Sequence, residues 1–297
     1  MILGVIIVAA AVLFIGLSLY KAFTYARMPL HARMELYPVP QEKGRHQYGG
    51  SYMEEVEWWR KPRSISKASE MSDMLKEMLF IKKLFDNQRS FWWISYAFHL
   101  GIYFLFAWTV LLVAGAFTEF AGISVNLHAS WWTAALYYLT ILTGVAGFFM
   151  TTAGAAMLLI RRIFDPILSK YTTPQEYSNL ILLLATLISG IVIWGSDLSF
   201  TTAREVTAQA LALSIVPNPA LTIHLLLLAV TFVYIPVSKM GHYVGKYFTF
   251  HKILWENEPN LSGSEMEHKV KTALQNQPVT KWAAPHIQPL STAEKQA

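Results

Sequence analysis

The residues most suited to chemistry in this chain are two histidines that close a nearly continuous apolar run, "HLLLLAVTFVYIPVSKMGH", at 224–242. An ionisable side chain is costly inside a bilayer and is by default a candidate for function there. His224 and His242 are 18 residues apart. On one helix that spacing predicts five turns, a shared face and a separation of about 27 Å. Because a bilayer's hydrocarbon core is about 30 Å thick, we expect one imidazole near each membrane edge.

A third histidine, His99, lies in a second apolar run, "SYAFHLGIYFLFAW". If the two runs are antiparallel spanning helices, His99 and His242 fall in one half of the bilayer and His224 in the other. Two imidazoles that face each other at one depth can fill both axial positions of a haem iron, which then carries electrons without binding oxygen. A single such histidine is equally well explained by a hydrogen bond to a neighbouring helix. The three together favour haem.

The composition places these histidines in a membrane protein. Of the 297 residues, 54% are hydrophobic and only 14% are charged, which is atypical of a soluble chain of this length. The chain has no cysteine, and this excludes an iron–sulfur cluster, a thiolate-ligated haem and a covalently attached c-type haem. The net charge of +5 does not come from a continuous basic patch, so we do not expect nucleic acid as a partner.

Five apolar runs predict the fold class, an all-α integral membrane protein with a bundle of five transmembrane helices. The predicted spans are 2–20, 91–117, 131–160, 178–198 and 219–242. Lysine and arginine concentrate in alternate connections, and the other two connections hold only Arg204 between them. The positive-inside rule therefore predicts an N-terminus outside the cell and a cytoplasmic C-terminus.

The spans divide the chain into four predicted parts. These are a first transmembrane anchor at 1–20, a cytoplasmic loop at 21–90, a four-helix haem-binding membrane core at 91–255 and a polar cytoplasmic tail at 256–297. The first run lacks the basic start and the small-residue cleavage site of a signal peptide, so we expect it to be retained. Within the loop, "SKASEMSDMLKEMLFIKKLF" predicts an amphipathic helix that lies on the membrane surface or docks a partner protein.

The last predicted span resembles that of a known family. Pro236 follows His224 by twelve residues, and a Ser-Lys pair comes just after it, as in the gamma subunit of respiratory nitrate reductase. The motif "FHLGI" is similar to the first haem-ligand motif of this family of five-span b-type cytochromes. The stretch "KEMLFIKKLFDNQRSFWWISYAFHLGIYF" resembles still more closely the branch associated with dissimilatory sulfite reduction and heterodisulfide reductase.

The resemblance implies specific haem ligands. His99 and His242 match the ligands of the cytoplasmic-side haem. The family's outer haem takes a second histidine ten residues beyond the first, and this position is Thr109 here, whereas its other ligand remains as His224. Four roles are open for His224: it shares an outer haem with His128, ligates a haem alone, hydrogen-bonds a quinone, or is structural. The resemblance thus implies one or two b-type haems.

Charged residues near the predicted membrane edges are further candidates. Arg161 and Arg162 close the third span on the cytoplasmic side, where anionic haem propionates favour arginine or lysine. Both are equally well explained as positive-inside anchors. Glu119 and Asp197, near the outer ends of two spans, are suited to accept protons from a quinol, although they are more simply interfacial carboxylates.

Taken together, the sequence predicts a membrane cytochrome b subunit of a respiratory oxidoreductase complex. We expect a multi-pass protein of a prokaryotic inner (plasma) membrane that transfers electrons between a menaquinone or other quinone pool and a cytoplasmic iron–sulfur subunit of the heterodisulfide-reductase type. No catalytic motif is apparent, so the chain is predicted to be a subunit rather than a complete enzyme. The alternative is a haem-free membrane anchor for a cytoplasmic complex. A proton-coupled transporter is disfavoured, because the chain has no internal repeat.

Overall fold

The computed structural model describes residues 1–27, 55–57, 60–61, 67–127, 130–248 and 261–275. The α-helices within these residues are α1 (Ile2–Ala26), α2 (Lys67–Phe80), α3 (Lys82–Asn87), α4 (Arg89–Phe120), α5 (Trp131–Phe164), α6 (Leu168–Tyr171), α7 (Pro174–Trp194), α8 (Thr201–Leu211), α9 (Pro219–Val237), α10 (His242–Phe248) and α11 (Glu265–Gln275). Five of them, α1, α4, α5, α7 and α9, are long and apolar enough to cross a membrane. The predicted all-α fold with five spanning helices is confirmed, and its orientation remains a prediction.

The chain divides into two compact units. The first holds residues 1–19 and 76–241, and therefore α3 to α9 with most of α1. The second holds the described residues of 20–75 and 242–297. In the second unit, Tyr25 packs edge-on against Phe248 of α10 with ring centroids 5.7 Å apart.

Helices α4 and α5 form the closest contact of the first unit. A methyl group on Gly154 would lie 2.7 Å from the Cβ of Phe98, and one on Gly147 would lie 3.0 Å from the side chain of Leu105. Small residues let membrane helices approach this closely, because lipid tails provide no hydrophobic drive for helices to associate. Because His99 lies on α4, this close contact with α5 fixes the position of its backbone within the first unit.

Two groups of buried apolar residues fill the first unit at different depths. The inner half is the end of the bundle predicted to face the cytoplasm, and its core consists of Phe98, Ala155, Leu158 and Leu180. The outer half is the opposite end. Its core includes Leu3, Ile7, Leu112, Trp194, Phe200, Leu221 and Leu225, with Trp108 and Phe148 packed against them.

Local signals set where the spanning helices begin. At α5, the Ser130 hydroxyl accepts from the Thr133 amide at 3.2 Å. At α9, the Asn218 side chain accepts from the Leu221 amide at 2.9 Å, and Pro219 follows as the first helical residue. Each cap satisfies an amide that has no partner in the first helical turn. These residues position the outer ends of two helices that line the candidate site.

Three elements differ from the sequence-based expectation. The amphipathic segment is two helices, because the chain turns at Ile81, whose φ is +52°. The Phe80 carbonyl there accepts from the Trp92 indole at 2.7 Å, and the Lys83 amide donates to Glu77 at 2.8 Å. The fourth span lies about one turn earlier than expected. The polar outer connection after it contains a helix, α8, that the apolar pattern did not predict.

Candidate functional site

His99 lies on α4 with its imidazole half-buried and its hydrogen bonding fixed by its own helix. The ring Nδ1 is 2.7 Å from the carbonyl oxygen of Ser95. Because a carbonyl only accepts, Nδ1 must carry the hydrogen, and the neutral ring then has its lone pair on Nε2. Histidines that ligate metals usually donate their other ring N–H to a carbonyl or carboxylate in this way. The tautomer of His99 therefore fits an axial haem ligand.

The neighbouring residue explains how the ring of His99 is oriented. Phe98 contacts the His99 imidazole edge-on, with ring centroids 5.3 Å apart, and its backbone lies against Gly154 of α5. Since α4 cannot rotate there without a clash with α5, the position of His99 is set by helix packing as well as by its hydrogen bond.

His242 does not share a helix with His224. Helix α9 ends at Val237, Ser238 is extended with ψ at −178°, and a 3-10 turn at Lys239–Gly241 comes before α10. Pro236 inside the last turn of α9 has no N–H and removes one helical hydrogen bond. The prediction of one continuous helix, with both imidazoles on one face, is therefore wrong.

His242 itself is the first residue of α10 and is exposed. It belongs to the second unit, whereas His99 belongs to the first. Their pairing as haem ligands stays a prediction.

His224 is buried on α9, with 5% of its surface exposed, and its hydrogen bonding is also fixed. Its Nδ1 lies 3.0 Å from the Ser189 hydroxyl, and that hydroxyl donates to the Thr186 carbonyl at 2.9 Å. The single hydroxyl hydrogen of Ser189 is thus used, so Ser189 must accept from Nδ1. Trp194 packs edge-on against the imidazole at 5.8 Å. Like His99, His224 has its lone pair on Nε2.

Thr109, the position at which the resemblance predicts a second outer-haem ligand, faces away from His224's buried surroundings. Thr109 is exposed and donates its hydroxyl to the Leu105 carbonyl of its own helix at 2.9 Å. Its neighbour Trp108 instead packs edge-on against Phe148 and Phe200, each with centroids 5.3 Å apart. Aromatic side chains therefore pack together on the inward side of α4 beside this position.

The described residues of the outer half contain no second histidine that could pair with His224. Among the described residues of the first unit, His224 is the one histidine in that half. His128, its predicted alternative partner, lies outside the described residues. The described residues also hold no group of three or more histidine, aspartate or glutamate side chains placed to bind a metal ion. A bis-histidine haem needs only two protein ligands, so this finding concerns metal centres that need three or more ligands from the described residues and not a haem.

Arg161 and Arg162 lie in the last turn of α5 and have partners within the chain. The Arg161 guanidinium stacks over the ring of Phe91 at 4.7 Å and pairs with Asp165 at 3.6 Å. Arg162 donates to the Thr172 hydroxyl at 3.2 Å. Backbone N–H groups that donate to Asp165 hold the pKa of this carboxyl below its usual value. The predicted role of both arginines, as partners of haem propionates, remains a prediction.

The sequence did not single out the most deeply buried charge of the outer half. Arg204 on α8 is 2% exposed, and its Nε donates to Glu119 of α4 at 2.8 Å. The Arg204 Nη1 and the Trp108 indole nitrogen are buried without a hydrogen-bond partner among the described residues. The sequence does mark Arg204 as the one basic residue of the two outer connections. Its burial could not be predicted, because the apolar pattern gave no sign of α8, the helix that carries it.

Asp197, the other acidic candidate, organises the turn before α8. Its carboxylate accepts from the Ser199 hydroxyl and, at 2.7 Å, from the Thr202 amide in the first turn of α8. Burial acts to raise the pKa of Asp197, but these hydrogen bonds outweigh it, and the pKa lies below its usual value. Asp197 therefore has a structural role that does not depend on a quinol.

Comparison with known proteins identifies the family of the chain. A family model described as nitrate reductase gamma subunit matches residues 83–253, more than half of the chain. No curated protein and no solved structure matches significantly. Proteins of the matched family are haem-binding membrane cytochromes b that transfer electrons as subunits of larger complexes. The chain belongs to the nitrate reductase gamma subunit family.

Proposed function

We propose that this chain is the membrane cytochrome b subunit of a prokaryotic respiratory complex and ligates one b-type haem through His99 and His242. The observation that supports this proposal is the tautomer of His99, whose Nδ1 donates to the Ser95 carbonyl so that the lone pair lies on Nε2. When bound, the haem supplies reversible one-electron chemistry. The chain contributes the two ligands and, through the hydrogen bond to Ser95 and the packing of Phe98, the orientation of His99.

The proposal includes a quinone that reacts in the outer half of the bundle, beside His224. A quinone headgroup requires hydrogen-bond partners for its oxygens. The Nε2 of His224 is a lone-pair acceptor that is suited to a quinol hydroxyl, since Ser189 already occupies Nδ1. The outward orientation of Thr109 favours this role over ligation of a second haem.

The partner in this proposal is a cytoplasmic iron–sulfur subunit that exchanges electrons with the haem. Helix α2 supports a docking role, because Met71, Leu75 and Leu79 recur every four residues and are 41%, 45% and 45% exposed. Such a row forms a single apolar stripe along a helix. Membrane-surface binding of the same stripe is the competing explanation, and a pull-down with an α2 variant distinguishes the two.

A reduced-minus-oxidised optical spectrum of the purified chain tests the haem proposal. We expect b-type absorption and, by pyridine haemochrome, one haem per chain. His242→Ala should lose most of the haem, whereas His268→Ala, on α11, should retain it as a matched control. Absence of b-type absorption would establish the haem-free anchor instead, and full haem in His242→Ala would refute that ligand.

A further inference from the structure

A cleft of about 450 Å³ lies at the inner edge of the first unit, between the start of α4 and the end of α5. Its volume falls within the roughly 300–1,000 Å³ that is usual for small-molecule sites. The charged residues of its lining are Arg89, Arg161 and Asp165, and Asn87 and Ser90 add neutral polar groups. With two guanidinium groups against one carboxylate, the cleft is net positive.

Each arginine of the cleft is held against a phenylalanine ring. The Arg89 guanidinium lies 4.2 Å from the ring centroid of Phe85, and the Arg161 guanidinium lies 4.7 Å from that of Phe91. A cation–π contact uses the flat face of a guanidinium and leaves the N–H groups on its edge able to donate. Arg89 has no ion-pair partner among the described residues. Two guanidinium groups oriented in this way are suited to the oxygens of a phosphate.

Asp165 does not neutralise the cleft, because both of its oxygens are engaged at the end of α5. Its Oδ1 accepts from the amides of Ile167 at 2.9 Å and Leu168 at 3.1 Å. Its Oδ2 lies 3.6 Å from the Nε of Arg161. The two Nη nitrogens of Arg161 have no hydrogen-bond partner among the described residues. Asp165 therefore orients Arg161 and leaves the end of its fork available to an anion.

The surface beside the cleft is apolar and exposed. Phe164 at the end of α5 is 77% exposed, Ile167 in the link to α6 is 69% exposed, and Trp93, one turn beyond Arg89, is 62% exposed. Tryptophan is typical of the headgroup level of a membrane, and the other two side chains are suited to contact acyl chains. A cationic cleft next to such a surface matches an amphiphile. Free phosphate or an acidic peptide would leave the apolar part without a partner.

We propose that this cleft binds the headgroup of an anionic phospholipid of the phosphatidylglycerol class, with its phosphate between Arg89 and Arg161. Basic pockets between membrane helices at the cytoplasmic edge are a recurring form of anionic-lipid site. Because the two arginines lie on α4 and α5, a bound lipid would join the two helices whose close contact positions His99. The proposal depends neither on the haem nor on the quinone.

The test is a lipid-binding measurement on the purified full chain in a neutral detergent. Dioleoyl phosphatidylglycerol is titrated in, and native mass spectrometry counts the lipids bound to each chain. We expect one tightly bound lipid, and Arg89→Gln/Arg161→Gln should weaken its binding by on the order of tenfold or more. Arg89→Gln alone changes an exposed position and should weaken binding severalfold, so it provides the test if the double variant fails to fold. Arg89→Lys/Arg161→Lys should retain part of the affinity, because it keeps the charge but loses the planar fork.

Lys170→Gln is the matched control, because Lys170 is an exposed cation of the same edge that does not line the cleft. It should bind phosphatidylglycerol as the wild type does. Equal binding by the wild type and the double variant would overturn the proposal. Equal affinity for phosphatidylcholine, whose headgroup has no net charge, would also overturn it, as would displacement of the lipid by equimolar inorganic phosphate. Arg89→Gln should keep its haem, and loss of haem in this variant would assign the cleft to a haem propionate instead.

Discussion

Among the described residues, the inner and outer halves of the bundle each hold one buried or half-buried histidine of the same tautomer, and we propose different roles for the two. His99 is fixed by the Ser95 carbonyl of its own helix, so its ring moves with α4. His224 is fixed by Ser189 of a different helix. In the outer half the family's second ligand position is Thr109, which faces outward. Histidines that look alike in sequence are therefore distinguished by what holds the other ring nitrogen and by what faces them.

The largest expected effect separates the two histidines. His99→Ala should lose nearly all bound haem, because an axial ligand is removed, whereas His224→Ala should keep the haem and lose its oxidation by a menaquinone analogue. Haem is quantified by pyridine haemochrome and oxidation by stopped-flow absorbance. Substantial haem loss in His224→Ala would indicate that His224 ligates a haem and would contradict the proposed difference between the two halves.

The second prediction concerns the charge pair of the outer half. Glu119→Gln leaves the 2% exposed Arg204 without its counter-charge and should destabilise the fold by about 3 kcal/mol. Arg204→Met should cost less, since Glu119 is 29% exposed and can still be hydrated. The midpoint of SDS-induced unfolding, followed by circular dichroism, measures both. If Arg204→Met lowers the free energy of unfolding more than Glu119→Gln does, the unpaired buried charge of Arg204 is not the main cost of breaking this pair.

A third prediction concerns the packing that supports His99. Gly154→Ala places a methyl group 2.7 Å from Phe98 and should destabilise the inner half by about 1–3 kcal/mol. Because Phe98 adjoins His99, the haem midpoint potential should change as well. Gly16→Ala is the control, since nothing lies within 4 Å of a methyl group there. Equal unfolding midpoints for the two variants would contradict the close α4–α5 contact.

The smallest expected effect is at the start of α8. Asp197→Ala removes the acceptor of the Thr202 amide and should cost about 1 kcal/mol. The pKa of Asp197 is lowered from 3.8, so its contribution is fully present above that pH and is lost as the pH falls through the lower folded-state value. Unfolding at pH 7 and at pH 3 measures this. A variant that loses as much stability at low pH as at neutral pH would argue against the carboxylate as the cause.

The spanning helices were predictable because bilayer thickness imposes their length and apolarity, which any window of the sequence displays. The elements that were missed depend on contacts between distant residues. The break at Ile81 is accompanied by the bond from Trp92 to Phe80, and α8 is stabilised by the burial of Arg204 against Glu119. No local pattern contains those partners.

The site was predictable to a similar extent. Family-like spacing identified His99, His224 and His242 as candidates, and the structure adds which ring nitrogen of the first two is occupied. The end of α9 could have been suspected from Pro236, but proline is tolerated in membrane helices when neighbouring groups satisfy the freed carbonyl. The hydrogen bond between Ser189 and His224 could not be predicted, because the two residues are 35 positions apart in sequence.

One hydrogen bond of the inner half links the predicted docking helix, α2, to α4, the helix that carries His99. The hydroxyl of Tyr103, one turn beyond His99, donates to the Met78 carbonyl in the last turn of α2 at 2.6 Å. A partner that binds α2 would therefore act on a residue whose helix also carries His99, the proposed haem ligand. Because coupling between two binding events is reciprocal, we expect the redox state of the haem to alter partner affinity by the same factor by which the partner alters the haem's redox equilibrium.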